Sequence, residues 1–410
     1  MKKNNIITVL DIGSTKVCCC IAALSIDGHI DILGIGNCAC FGIKSGIVTN
    51  MEYVGRSIVK AVEMAERMAK MSVKSVLVSV SGKNVKSRII GVSTHIGGRV
   101  IRDEDVIQLL SFRDGENDHC EIVHAIPIMY SLDSLHSIKN PVGMVAYSLT
   151  ANINFITVPA VQLNNLLLCV SKCHLEPIGV VSSCYASGLF ASNNEDSRQI
   201  VIDFGGETTS IAFIYNGVLC GFEVIPIGGR HITRDVAYGL NISIPSAERL
   251  KTLYGAAFVS IDDERSFILA PVLEDENVID LQQIPRSALN RIIQPRTEEI
   301  LQSVRKKIEE SEFKHDFRNS SITITGGASQ LTGIRDFTGE ILNKQIKIKE
   351  NGGYHNTTHL QIGGDSSVAI GMIKFAQLSR DFRDSGTTFK TPHGKIGFFK
   401  KALIWLENNL

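Results

Sequence analysis

Two short stretches carry the same residue types at the same spacing: "VLDIGSTKVCCCIA" from Val9 and "VIDFGGETTSIAFI" from Val201. In each, an apolar run delivers an aspartate (Asp11, Asp203) to an Asp-x-Gly turn (Gly13, Gly205), followed by hydroxyl residues and a second β-prone run. Glycine lets backbone N–H groups approach a phosphate closely, and Ser14, Thr15, Thr208 and Thr209 add short donors, with Gly206 as a second bare backbone position. Lys16 either reaches a phosphate or sits exposed on its strand. A carboxylate does not bind phosphate directly. Two of them facing across a phosphate-filled cleft hold Mg²⁺ through its waters, because this hard cation keeps a hydration shell and bridges to phosphate oxygens. Either motif alone reads as an ordinary hairpin, since Asp and Gly are common in turns, but two near-identical copies are a stronger signal.

A third element follows at "SITITGGASQLTGI", where a β-run from Ile322 to Thr325 meets Gly326 and Gly327 and a helix start near Ser329. Paired glycines at such a turn let a flat adenine or a ribose lie against backbone. The elements that must position these three turns alternate strand and helix patterns, which predicts an α/β fold with mixed, mainly parallel sheets.

At 410 residues and 44% hydrophobic content, the chain suffices for two or more domains with real cores. Forty-two basic residues balance 42 acidic ones, so no global field draws the protein to nucleic acid, and any membrane contact must be local. The apolar run near the amino terminus, Ile6 to Leu10, is too short for a signal-peptide core, and a cytoplasmic location is expected. Among the ten cysteines, Cys18 to Cys20 are consecutive and no paired Cys-x-x-Cys motifs occur. Reduced core thiols are therefore expected rather than disulfides or zinc.

The end of the sequence has a different character. "SRDFRDSGTTFKTPH" (Ser379 to His393) is polar and broken by Gly386 and Pro392, so it reads as a solvated linker. After it comes "GKIGFFKKALIWLENNL", in which Ile396, Phe399, Leu403, Leu406 and Leu410 recur at helical spacing with Phe398 and Trp405 at the flank. Lys395, Lys400 and Lys401 can meet anionic lipid, whereas Glu407 near the apolar face leaves a partner-docking helix as the other reading.

On the three glycine turns the chain resembles the actin-like ATPase superfamily, whose two lobes each carry a phosphate hairpin while a Gly-Gly loop of the second lobe covers the adenosine. The resemblance implies ATP and Mg²⁺ as ligands, with Asp11 and Asp203 on the metal through water. It also implies that "SAERLKTLYG" lines the adenosine pocket, with Glu248 at the ribose and Lys251 beside the base. Read without it, that pair is a solvated helical face.

Within the superfamily the chain resembles the FtsA family of bacterial cell-division proteins. "SVSGKNVKSRIIGVSTHIGGRVIRDEDVIQLL" (Ser79 to Leu110) looks like that family's inserted subdomain, "VIPIGGRHITRDVAYGL" like its segment after the second hairpin, and "GGDSSVAIGMIKFA" like its closing helix. The implied organisation is a first lobe over 1–82 and 163–199 with the insert at 83–162, and a second lobe over 200–230 and 319–376. The outer subdomain of the second lobe is expected at 231–318, a linker at 377–393 and a membrane-lying amphipathic helix at 394–410. The family implies filament formation, a peripheral place on the cytoplasmic side of the inner membrane at the division septum, and recruitment of other divisome proteins.

It also implies docking of the tail peptide of the tubulin-like FtsZ on the outer subdomain. For that, "IPRSALNRIIQPRTEEIL" offers a helix starting after Pro285, with Arg286, Leu289, Asn290 and Ile293 on one side and Arg296 nearby. The plain alternative is a core helix whose arginines reach solvent. Where relatives that hydrolyse ATP readily carry a Glu or Gln to orient water, "GVVSSCYASGLF" has Ser183, so slow or negligible turnover is expected. Two other functions stay open: a small-molecule kinase of the same superfamily, and a PilM-like cytoplasmic scaffold of a pilus or secretion assembly.

Overall fold

The computed structural model describes residues 5–25, 29–112, 119–192, 198–274, 278–349, 355–356 and 364–384. The chain opens with β1 (Asn5–Ile12), β2 (Lys16–Leu24) and β3 (Ile30–Ala39), paired antiparallel in sequence. A two-rung hairpin, β4 (Ile43–Lys44) and β5 (Ile47–Val48), leads into α1 (Met51–Ala69) and β6 (Ser75–Val80). The Asn50 side chain caps α1 by accepting the Tyr53 N–H, and Lys70 ends the helix in the left-handed conformation. The apolar face of α1 lies directly on β3. A Cβ at Gly36 would stand 1.9 Å from the Ala61 carbonyl oxygen, so only glycine permits this approach.

Next comes β7 (Lys86–Val100), α2 (Asp103–Leu110), β8 (Cys120–Leu132), β9 (Leu135–Ile138) and β10 (Val145–Pro159). These strands form their own antiparallel sheet, ordered β7-β10-β8-β9, with its own apolar cluster around Leu149, Ile153 and Phe155. The chain returns through α3 (Ala160–Lys172), β11 (Glu176–Ser182) and α4 (Ser183–Ala191).

The second half repeats the plan of the first with β12 (Arg198–Phe204), β13 (Thr209–Tyr215) and β14 (Val218–Ile225). Then come α5 (Gly229–Gly239), α6 (Ile244–Tyr254), the hairpin β15 (Phe267–Glu274) and β16 (Val278–Pro285), and the long α7 (Arg286–Glu310). Last are β17 (Ser321–Thr325), α8 (Ile334–Leu342), β18 (Ile346–Ile348), β19 (His355–Asn356) and α9 (Ser367–Asp384).

The two principal sheets run β11-β6-β1-β2-β3-β19 and β14-β13-β12-β17-β18. Read from the hairpin outward they share one plan: the first strand pairs antiparallel to the second and parallel to a later strand. The echo between Val9 and Val201 is therefore an echo of whole sheets. Both sheets are mixed, as expected: three of the five pairings in the first and two of the four in the second are parallel. The β7–β10 sheet departs from the expectation and is antiparallel throughout. Helix α4 packs against α9, and a Cβ on Gly371 would lie 1.8 Å from the Ala186 carbonyl oxygen, so the two backbones touch. Helix α9 also runs on to Asp384, so residues 377–384, expected as linker, continue the helix.

The ten cysteines carry free thiols, and Cys18, Cys19 and Cys20 are wholly buried in β2. No helix among the described residues is long and apolar enough to cross a membrane.

Candidate functional site

Asp11 and Asp203 stand one residue before the end of the first strand of each principal sheet, where backbone pairing delivers both carboxylates to the turns that follow. The Ser79 hydroxyl on β6 donates to Asp11 Oδ1 at 2.7 Å and accepts the Ile12 N–H at 3.0 Å. Burial pushes the Asp11 carboxyl above its ordinary range, opposed by that hydrogen bond and by the Lys16 charge. Asp203 is pushed up to about 7 by burial and then by the negative charge of Asp11, with a hydrogen bond to Ser187 of α4 working the other way. The two sheets thus bring two half-buried carboxylates close enough for Asp11 to raise Asp203. One of them remains ionised near neutrality only at a cost, unless a cation intervenes.

The hairpins touch across the lobes. A Cβ on Gly206 would lie 2.4 Å from Thr15 Cγ2, while within the second hairpin one on Gly205 would lie 2.7 Å from the Thr208 carbonyl oxygen. The Gly13 N–H closes its own turn on the Lys16 carbonyl at 2.9 Å. The Ser14 carbonyl accepts from Arg230 at 3.1 Å. Lys16 neither sits free on its strand nor extends into the turn: its Nζ donates to both the carboxylate and the carbonyl of Asp365, each at 2.7 Å. Thr209, expected as a phosphate donor, is fully buried and donates its hydroxyl to the Ile227 carbonyl at 2.8 Å, so it ties β13 to the segment before α5.

On the adenosine side, Gly326 adopts φ +90° with its missing Cβ 2.3 Å from Asp203 Oδ1, so this glycine makes room for the carboxylate. A Cβ on Gly327 would meet nothing within 4 Å, leaving that backbone face open. Ser329 lies within a 3₁₀ turn, Gly327–Gln330, rather than at an α-helix start, and its hydroxyl donates back to the Gly326 carbonyl at 2.7 Å. Beside it the Thr325 hydroxyl, in register with Asp203, is buried without a protein partner. Glu248 and Lys251 do share one face of α6, but they face each other: Lys251 donates to Glu248 and to Thr233 at 2.8 Å and to the Gly229 carbonyl at 3.2 Å. Thr233 also bonds Glu248, so Lys251 ties α6 to the start of α5.

Residues outside the three glycine turns complete the arrangement. Ser79, Ser187, Arg230 and Asp365 lie in segments quoted above for their resemblance, but none of them was expected in the site. Glu207 does give one, as a carboxylate in the middle of a hydroxyl-rich hairpin, where the first hairpin has Thr15. Among the described residues no group of three or more His, Cys, Asp or Glu side chains is placed to hold a metal directly.

The docking residues expected on α7 need correction. The helix does start at Arg286 after Pro285, but Leu289, Asn290 and Ile293 are fully buried in the core of the second half. Asn290 accepts the Ala256 N–H at 2.8 Å and donates to Asp263 at 2.9 Å. Arg286 reaches outward to the Tyr254 carbonyl at 2.7 Å, and Arg296 pairs with Asp235 and Glu299. The plain alternative, a core helix with outward arginines, describes α7. Ile396, Phe398, Phe399, Leu403, Trp405 and Leu406 lie outside the described residues.

Comparison with known proteins agrees along the chain. Residues 200–367 match the family model "Cell division protein FtsA", and residues 82–157 match "SHS2 domain inserted in FTSA". The FtsA cell division protein of Rhizobium meliloti (strain 1021) is 32% identical over 423 residues, spanning 100% of this chain and 96% of the relative. That of Agrobacterium fabrum is 34% identical over 392 residues, spanning 92% and 88%. Among solved structures, a chain of a PilM-PilN type IV pilus biogenesis complex superposes with a TM-score of 0.65 at 15% identity, covering 90% of this chain and 98% of that one. MreB5 of Spiroplasma citri bound to ADP superposes at 0.57 and 15% identity, covering 93% and 99%. These likenesses identify an actin-like fold with an inserted SHS2 domain, and the sequence relationship makes this chain a member of the FtsA family of cell division proteins.

Proposed function

We propose that this chain binds ATP with Mg²⁺ between its two hairpins, polymerises, and tethers FtsZ to the cytoplasmic face of the cell membrane at the division site. The observation that carries the nucleotide reading is the pair of half-buried carboxylates, Asp11 and Asp203, held near the ends of two equivalent strands, with Asp203 raised to about 7 by desolvation and by Asp11. A hydrated Mg²⁺ on bound phosphates offsets that repulsion. The donor set fits: hard oxygens, no soft ligands among them, and an orphaned Thr325 hydroxyl alongside Asp203. Gly13, Ser14, Gly205, Gly206 and Thr208 cradle the phosphates, and the open face of Gly327 supports adenosine. Lys16 exchanges Asp365 for phosphate when nucleotide enters.

Turnover is slow on this reading, because Ser183, the first residue of α4, is no base at neutral pH. Replacing it with Glu gives equal or faster phosphate release. The terminal residues Ile396, Phe399, Leu403 and Leu406 form the membrane face. One such helix binds weakly, and polymerisation multiplies its hold through effective concentration, by roughly 10² to 10⁴. With the α7 residues enclosed, the FtsZ tail docks instead where Tyr254, Ile261 and Phe267 lie exposed beside Arg286 and Arg291.

Calorimetry of ATP binding with and without Mg²⁺ tests the nucleotide reading. Tight binding that requires the metal supports it, and equal affinity in both conditions refutes it. Flotation with anionic liposomes, comparing the full chain with one ending at Phe389, tests the tether. Equal flotation of the two refutes the tail as the anchor, and no flotation of the ATP-loaded full chain refutes the membrane role and leaves a scaffold reading.

A further inference from the structure

Glu207 is the one charged residue of the second hairpin's turn, and its side chain is 2% exposed. Its carboxylate crosses to the first lobe. Oε2 accepts the Ser45 N–H at 2.7 Å and lies 3.4 Å from the Ser45 hydroxyl, while Oε1 takes Arg234 at 2.7 Å and stands 3.8 Å from Arg230. The first-lobe end of this contact is rigid. Ser45 and Gly46 form the β4–β5 turn with φ of +48° and +83°, and a Cβ on Gly46 would lie 2.0 Å from the Ser81 carbonyl oxygen. Gln162 of α3 clamps the same turn by donating to the Gly46 and Ser81 carbonyls, each at 3.1 Å.

The second-lobe end is bonded into one piece. Arg234 lies on α5, whose first N–H groups bond the hairpin itself, Gly229 to the Gly205 carbonyl at 2.9 Å and Arg230 to the Gly206 carbonyl at 2.7 Å. If the lobes part, Glu207 therefore keeps Arg234 and loses only Ser45, and Arg230 loses the Ser14 carbonyl. A buried carboxylate left unpaired would oppose opening outright. One that keeps a guanidinium gives a contact that breaks and re-forms.

We propose that Glu207 is a reversible interlobe latch that holds the Ser45 turn and sets how readily the cleft opens, and with it how fast nucleotide leaves. The statement about nucleotide rests on the function proposed above, whereas the statement about opening does not.

Hydrogen exchange of the full chain without nucleotide tests it. In Glu207→Ala the peptide covering residues 43–48 should exchange about tenfold faster, the effect of one lost hydrogen bond, while α1 stays protected. Release of a fluorescent ATP analogue should quicken by a similar factor. If Glu207→Ala does not fold, Arg234→Gln, at a side chain 42% exposed, should show the same ordering with a change of about threefold. Unchanged exchange at 43–48 in a folded variant overturns the latch, as does a rise spread evenly over the first lobe, which marks a folding defect. A wild-type chain that binds no ATP defeats the proposed function and leaves the exchange result to judge the latch.

Discussion

Replacing Asp203 with asparagine should make the ligand-free protein more stable at pH 8, although it removes a residue at the centre of the site. The reason is linkage. Asp203 moves from an ordinary 3.8 in the unfolded chain to about 7 in the fold, so between those values the native state holds a proton that the unfolded state has released. Stability from this group is fully present below pH about 4, declines as pH rises, and is gone above about 7. A shift of about 3 units corresponds to about 4 kcal/mol.

Asparagine has the same shape without the charge, so the Asp203→Asn variant escapes this loss and Asp11 loses a like-charged neighbour. The measurement is urea unfolding of both proteins at pH 5 and pH 8, without nucleotide or metal. The advantage of the variant over the wild type should grow by about 2 to 4 kcal/mol from the lower to the higher pH. Adding ATP with Mg²⁺ at pH 8 should reverse the order, because the metal complex favours the ionised wild type. An advantage that is equal at the two pH values refutes the claim that burial, reinforced by Asp11, raises Asp203.

Three further outcomes are expected. Gly326→Ala puts a methyl 2.3 Å from Asp203 Oδ1 at φ +90°, so it should lower stability by about 1 to 3 kcal/mol in a melt and abolish ATP binding; Gly327→Ala, facing open space, should fold normally. Lys16→Met removes a pair with Asp365 whose side chains are 25% and 40% exposed, so unfolding should change by less than about 1 kcal/mol while calorimetry shows ATP affinity falling at least about tenfold. Trp405 fluorescence should shift to the blue with anionic vesicles and much less with neutral ones, and Phe399→Glu should remove the shift.

What the sequence made legible was local. Asp11 and Asp203 stand out because strand, aspartate and glycine follow within a few residues, and the structure places both at matching strand ends. Their hydrogen-bond partners, Ser79 and Ser187, do not, because the contact between Ser79 and Asp11 spans 68 residues and no pattern in one segment reveals it. Periodicity groups Leu289, Asn290 and Ile293 on one side of α7, but a helical stripe has no sign. The same spacing serves a groove or a core, and burial chose the core. The polarity of Ser379 to Asp384 suggests a linker, although the first residue that favours ending a helix is Gly386.

Helix α9 can also be seen as a lever. Its first residues follow Asp365, the partner of Lys16, and its middle bears on α4 at Gly371 and Ala186, one residue from the Ser187 that bonds Asp203. Its far end at Asp384 leads into the remaining 26 residues of the chain. Whatever grips those residues pulls on a rod whose fulcrum is a contact between two backbones, with no side chain at Gly371 to cushion it. On the function proposed above, tension at the tail would reach Lys16 and Ser187 together. Nucleotide occupancy and mechanical load would then be readings of the same instrument, and a chain under pull should hold its ligand differently from one that is slack.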